Sequence, residues 1–154
     1  MRIIRLTDLM EHDIKELLIE NQEEGFFFLT RLVAEYKNGQ NVFNKTGERL
    51  WGVYGEQNKL IGVAGLNRNP YSQYANVGRV RRFYVSAQFR RKGIGKQLLK
   101  GVIHYAENYY DSLVLYTDTD EAKLFYERNG FQCVYNQHKI THEYKLKINI
   151  LNVH

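Results

Sequence analysis

The stretch 79-RVRRFYVSAQFRRKGIGKQLL-99 decides how the rest of the chain is read. From Arg79 to Lys96 it holds seven Arg or Lys residues and no Asp or Glu. RVRRFYV has the β-branched and aromatic content of a strand. RRKGIGK reads as a turn, because its two glycines remove side chains and permit positive φ. From Ile94 to Asn108 the residues Ile94, Leu98, Leu99, Val102, Ile103 and Ala106 form an apolar stripe at helical spacing. A helix start placed there aims free N–H groups and the positive end of its dipole at one point. Arg90, Arg91, Lys92 and Lys96 surround that point, which is the physical recipe for a pyrophosphate cradle. The plain alternative is a helix start with exposed basic residues, and a GxG pair alone does not separate the two. Two standard phosphate loops do not fit. Leu98 stands where a dinucleotide fingerprint needs its third glycine, and Gln97 follows Gly95-Lys96 where a Walker loop needs Ser or Thr.

Working outward, the N-terminal half reads as Ile3–Leu6 in a short strand, then a helix capped by Thr7 or Asp8 with Leu9, Ile14, Leu17 and Leu18 apolar. Gly25 interrupts, and FFFLTRLVAEYKNG forms a second helix closing at Gly39. Arg49–Tyr54 and Leu60–Leu66 are expected as a strand pair, with Arg79–Val85 as the next strand. Beyond the central helix, SLVLYT is a buried strand and DTDEAKLFYERNG a helix ended by Gly130. FQCVY and ITHEYKLKI close as strands. The order is β-α-α-β-β-β-α-β-α-β-β. It implies an α/β fold with a mixed, largely antiparallel sheet of about seven strands and about four helices over both faces.

The chain has 154 residues, 44% hydrophobic and 25% charged, which suits one domain over residues 1–154. Its net charge of +5 favours anionic partners without naming them. Cys133 is the only cysteine, so an intramolecular disulfide and a multi-thiolate zinc site are excluded. Its place in a short apolar strand predicts a buried, inert thiol. His138 and His142 are four apart in a turn-to-strand region, where that spacing does not put them on one face, and no metal is expected. The opening MRIIRLTDLMEHD lacks the apolar core of a secretory signal, and no run approaches the ~18 apolar residues of a membrane span. A soluble, cytoplasmic protein is expected.

Arg90-x-x-Gly93-x-Gly95, after a strand ending FYV and before an amphipathic helix, resembles the acetyl-coenzyme A signature of the GNAT acyltransferase superfamily. Ala122, Tyr126, Gly130 and Phe131 resemble that family's second motif, and the element order is similar from Ile3 to about Ile148. The resemblance implies that backbone N–H groups from about Arg91 through Lys92, Gly93, Ile94 and Gly95 to Lys96 bind the pyrophosphate, with Arg90 and Arg91 beside it. It implies that the strand around Tyr84 and Val85 pairs with the pantetheine amides, and that a splay between this strand and Leu113–Thr117 gives the cofactor arm its slot. It makes Tyr126 the general acid that protonates the departing thiolate. A core tyrosine beside Leu124 and Phe125 is the plain reading of the same residue.

Two positions depart from the family pattern. Arg79 stands where members often have a Glu, so base duty falls to ordered water with a backbone carbonyl, or to a carboxylate elsewhere. Thr119 stands where an Asn is common, between Asp118 and Asp120. It caps the helix and reaches the pantetheine region less far. Glu24, with Glu23 in the bend between the first two helices, is a candidate for holding a cationic substrate amine, or else a solvated surface charge. Alternation puts Arg79, Arg81, Phe83 and Val85 on one strand face and Val80, Arg82 and Tyr84 on the other. Arginines on a central strand are costly unless exposed or paired. Either some of them, Arg81 among them, bind an acidic group of the substrate, or they pair with acids on the flanking helices. The loop Asn67–Asn76, with Arg68, Tyr71 and Tyr74, either shapes the acceptor pocket or is a solvent loop.

The resemblance thus implies an acetyl-CoA-dependent N-acetyltransferase acting on a small-molecule or protein amine, as a monomer or homodimer, with no nucleic-acid or membrane partner. One alternative is a sensor of the same fold that binds acyl-CoA without turnover. Another is a basic nucleic-acid module using Phe83, Tyr84 and Phe89 for stacking. The nucleic-acid reading leaves the two glycines and the helix start without a task.

Overall fold

The computed structural model describes residues 1–146, so the end of the strand expected over Ile140–Ile148 lies outside the described residues. Among these residues the elements follow the expected order. They are β1 Arg2–Arg5, α1 Lys15–Glu23, α2 Phe28–Asn38, β2 Arg49–Tyr54, β3 Leu60–Arg68, β4 Val77–Val85, α3 Ile94–Ala106, β5 Ser112–Leu115, α4 Asp120–Arg128, β6 Gln132–Gln137 and β7 Ile140–Lys145. The seven strands form one sheet in the order β1-β2-β3-β4-β5-β7-β6. All neighbours are antiparallel except β4 and β5, which run parallel. No helix among the described residues is long and apolar enough to cross a membrane.

Two apolar cores cover the two faces. On one, Leu98, Leu99 and Val102 of α3 and Tyr126 of α4 pack over Val80, Val85, Leu113 and Leu115. On the other, Leu17 of α1 with Leu29 and Leu32 of α2 pack over Leu50, Val63 and Tyr84. The predicted stripe of α3 is the side that is buried, through Ile94, Leu98, Leu99, Val102 and Ala106. Each large side chain of that set contributes about 1.5–3 kcal/mol by leaving water. Truncating the fully buried Leu98 to Ala costs about 2–5 kcal/mol and would loosen α3 from the sheet.

Three expectations are corrected. The first helix is broken: Asp8 accepts from Met10 N at 3.0 Å and caps only a short turn over Leu9–Glu11, while α1 begins at Lys15. Cys133 is exposed, because β6 is the edge strand of the sheet and all but one of its residues face solvent. The strict alternation along β4 fails at a bulge. The β3–β4 register steps from Val63↔Tyr84 to Gly65↔Arg81, so Arg82 and Phe83 together face Ala64. Arg82 takes φ +57° there, in the left-handed region that disfavours a branched or bulky side chain. Val80 therefore shares the α3 face with Phe83 and Val85, whereas Arg82 and Tyr84 meet α2 and α1 on the other. Arg79 and Arg81, flanking Val80, point to that second face.

Candidate active site

The turn after β4 is built from backbone. Arg91 and Gly93 have φ of +62° and +82°, both left-handed, with Lys92 between them. Such an alternation curls successive N–H groups around a concavity that suits an anion. α3 starts directly afterwards, at Ile94. Among the described residues, Arg90 N donates to Ala87 O and Gln97 N to Gly93 O, and no N–H from Arg91 to Lys96 has a protein acceptor. Six consecutive donors thus converge at a helix N-terminus, with the exposed side chains of Arg91, Lys92 and Lys96 around them. The two glycines do different work. A Cβ on Gly93 would meet nothing within 4 Å, so its requirement is the φ alone; one on Gly95 would sit 3.3 Å from the Phe125 ring. Gly95 is what lets α3 close onto α4.

Arg90 does not face the cradle. Its guanidinium forks onto Glu24 at 2.9 and 2.7 Å, and its Nε donates to the Val85 carbonyl at 2.8 Å. Glu24 also accepts from the Tyr84 hydroxyl. The Arg90 guanidinium, first among these causes, holds the Glu24 carboxyl below the usual carboxylate range. Burial, with both carboxylates alongside, pushes the Tyr84 phenol up. Glu24, expected beside a substrate ammonium, therefore has its oxygens engaged by the protein itself, and Glu23 lies exposed. Sequence reading missed Glu20. It accepts from Tyr84 Oη at 2.8 Å, Ser86 Oγ at 2.8 Å and Ala87 N at 2.6 Å, so α1 is bolted to the turn that carries the cradle. Its spacing of four from Glu24, which puts two acids on one helix face, was the available signal.

The sheet opens next to this turn. β4 and β5 pair only at Val77↔Ser112, Gly78↔Leu113 and Arg79↔Val114. From Val80 onward the β5-facing edge of β4 has no strand partner, which leaves the expected slot. Tyr126 stands at that opening. It is 8% exposed and packs against Phe83 of β4 at 5.9 Å, Phe125 at 5.1 Å and Phe131 at 5.4 Å between ring centres. Gly130, at φ +96°, turns the chain so that Phe131 folds back under it. Burial pushes the Tyr126 phenol up, so it stays protonated. Thr119 Oγ1 accepts from Ala122 N at 3.2 Å and serves as the α4 cap.

Below the slot, Arg79 is 6% exposed. Its NH2 donates to the Lys139 carbonyl at 2.6 Å and its NH1 lies 3.5 Å from Asn69 Oδ1, with the Tyr71 ring 5.0 Å away. Arg82 is paired with Glu35 of α2 at 2.9 Å. The Arg81 side chain makes no hydrogen bond or ion pair with any described residue. Asn69, Tyr71, Tyr74, Val77, Val114 and His138 line an open groove of about 410 Å³ beside Arg79, which reaches two of them, Asn69 and Tyr71. Residues of the loop Asn67–Asn76 line this groove, while Tyr71 and Tyr74 also remain exposed to solvent. His138 and His142 do not converge: His138 stacks on Tyr71 at 5.7 Å, while buried His142 bonds Glu127 and Thr141 at 2.9 Å each.

A mixed sheet opened between two parallel strands, with a helix N-terminus at its mouth, is the architecture of an acyl-CoA-type transferase fold. The acetyltransferase (GNAT) domain model matches residues 46–133, which contain the turn, the slot and Tyr126. An Exiguobacterium protein named as an acetyltransferase shares 31% identity at a TM-score of 0.84, with 94% of this chain and 92% of that one covered. A GNAT-family acetyltransferase from Staphylococcus aureus gives a TM-score of 0.72 at 22% identity, over 95% of this chain and 99% of that one. Another from Elizabethkingia anophelis, solved with acetyl-CoA bound, gives 0.62 at 22% identity, over 94% and 97%. No curated protein sequence matches the chain. The chain belongs to the GNAT acetyltransferase family.

Proposed function

We propose that this chain, working as one domain over residues 1–154, transfers an acetyl group from acetyl-CoA to a primary amine by direct attack in a ternary complex. The observation that carries the reading is the convergence of three things on one edge of β4: six free N–H donors, an unpaired strand edge, and the Tyr126 phenol. The N–H groups from Arg91 to Lys96 hold the pyrophosphate, with the charges of Arg91, Lys92 and Lys96 around it. The free main chain of β4 up to Tyr84 takes the pantetheine amides, since the Val85 carbonyl already accepts from Arg90. The relative from Elizabethkingia, with acetyl-CoA bound on the same fold, supports acetyl-CoA as the donor.

In the reaction the neutral amine nitrogen attacks the thioester carbonyl carbon. The carbon–sulfur bond breaks with its electron pair on sulfur, and Tyr126 donates its phenolic proton to that thiolate. The amine sheds its proton to ordered water held by a backbone carbonyl. Arg79 occupies the place where a carboxylate base is common, and its guanidinium is turned onto the Lys139 carbonyl.

The test is thiol release from acetyl-CoA with a panel of amines, for the wild type and Tyr126→Phe. Removal of the acid lowers kcat by about 100-fold while coenzyme A affinity stays put. Unchanged turnover in Tyr126→Phe would remove the acid role. Binding without thiol release from any amine would favour the sensor.

A further inference from the structure

We propose that the acceptor amine carries a carboxylate of its own, and that Arg81, with Arg79 beside it, recognises that group. This rests on the acyl-transfer reading above and names its substrate class.

The three arginines of β4 have separate fates. Arg82 has its carboxylate, Glu35. Arg79 is as deeply buried as a core residue, yet its partners are a carbonyl, an amide oxygen and a phenol ring. The Arg81 side chain has no partner among the described residues. Burial and then the charge of Arg81 depress the pKa of both Arg79 and Arg82. The exposed Arg31 of α2 adds to the same field at Arg82. Arg82 Nε is also buried without a partner. Burying Arg79 near a like charge with no matching anion is unfavourable. A bound carboxylate would answer the deficit, because a planar guanidinium donates two parallel hydrogen bonds to it.

Place and size agree with that ligand. Val77, Arg79 and Arg81 share one face of β4, and Val77, Asn69 and Tyr71 line the open groove of about 410 Å³. Its walls mix aromatic and apolar side chains (Tyr71, Tyr74, Val77, Val114) with polar ones (Gln137, Glu143), on the scale of a small molecule. Glu143 is the carboxylate that lines this groove, but it stands across Val114 from Arg79, two strand spacings or about 10 Å away, so it does not neutralise the pair. Arg81 lies within the splayed part of β4, so an anion on it is about 3–7 Å, or one to two residues, along the strand from the acyl slot. Amino acids, whose amine and carboxylate lie a few bonds apart, fit the short end of that range.

The experiment compares amino acids with their amides and their decarboxylated amines, with a phosphate-bearing amine as a further arm. We expect kcat/KM for the acid to exceed that for its amide by about 10–100-fold, the size of a charged hydrogen-bonded pair. Arg81→Gln should collapse the ratio toward one, chiefly through KM for the acid, and Arg81→Lys should restore part of it. An amide used as well as its acid, a ratio untouched by Arg81→Gln, or a preference for the phosphate-bearing amine would each overturn the proposal. Should no amine release thiol, calorimetry on coenzyme A-saturated protein decides. Binding of the acid alone, lost in Arg81→Gln, supports the proposal even as the acyl-transfer reading fails. Binding of neither, or of both equally, overturns it.

Discussion

At the turn end of the basic stretch, Arg90 is neutralised by Glu24 and the free donors belong to the backbone; in the middle of the strand, Arg79 bonds only neutral groups and the Arg81 side chain bonds none among the described residues. Both regions look alike as charge. They differ in what the opposite element supplies. α1 ends beside the turn and brings Glu20 and Glu24, whereas the groove side of β4 is covered by the Asn69–Tyr74 loop and the His138–Lys139 turn, which bring amide, carbonyl and aromatic groups. At the turn, side-chain charge is secondary to a row of free backbone donors; along the strand, the fold leaves the Arg81 side chain without a partner among the described residues.

The sharpest way to break this contrast is at the two glycines. Gly93→Val places a β-branched residue at φ +82°, a strain on the order of 1–3 kcal/mol, in a position that touches nothing else. Coenzyme A affinity measured by calorimetry should fall by roughly 10–100-fold if the cradle must distort to accommodate it. Both variants should lower the melting temperature, Gly93→Val through the strain at its φ and Gly95→Val because its side chain drives into Phe125. Retained affinity in Gly93→Val would move the anion site away from the backbone.

Next in size is a pair of strand variants read by denaturant unfolding. Arg82→Met removes a buried cation from Glu35 and should cost about 1–3 kcal/mol. Arg79→Met removes a buried cation that has no carboxylate, so the lost carbonyl bond is offset by relief of desolvation and repulsion. Its effect should stay within about 1 kcal/mol of zero. Equal losses at the two positions would mean that Arg79 is structural after all.

How far the sequence carried this distinction depends on which signals are local. Element order was legible, because α3 shows its stripe within thirteen residues and α4 ends on a glycine in the left-handed position. The glycine turn with its free N–H groups was legible for the same reason: charge, glycines and helix start are contiguous. The faces of β4 were not. A bulge centred on Arg82 carries no glycine to announce it, so simple alternation sent Val80 and Phe83 to opposite sides. The Arg90–Glu24 pair spans 66 residues, and nothing near either residue marks the other. Cys133 misled because an apolar-looking strand says nothing about whether it will lie at the edge of a sheet.

The smallest effect tests the neutralised end. Glu24→Gln keeps the shape but removes the charge that holds Arg90, and a partly exposed pair of this kind is worth under about 1 kcal/mol. The sign of its pH dependence is fixed by the depressed carboxyl. A group whose pKa is lower in the folded chain contributes fully above its ordinary value of 4.5 and loses that contribution as pH falls through the lowered one. The stability gap between wild type and Glu24→Gln should therefore be flat from neutral pH down to about 4.5 and close below it. Freed from Glu24, Arg90 also releases the Val85 carbonyl and can turn toward the cradle, so coenzyme A affinity should hold or rise slightly even as stability falls. A fall in affinity equal to the fall in stability would mean that α1 holds the cradle in shape, and the two ends of the basic stretch would then differ less in kind than in partner.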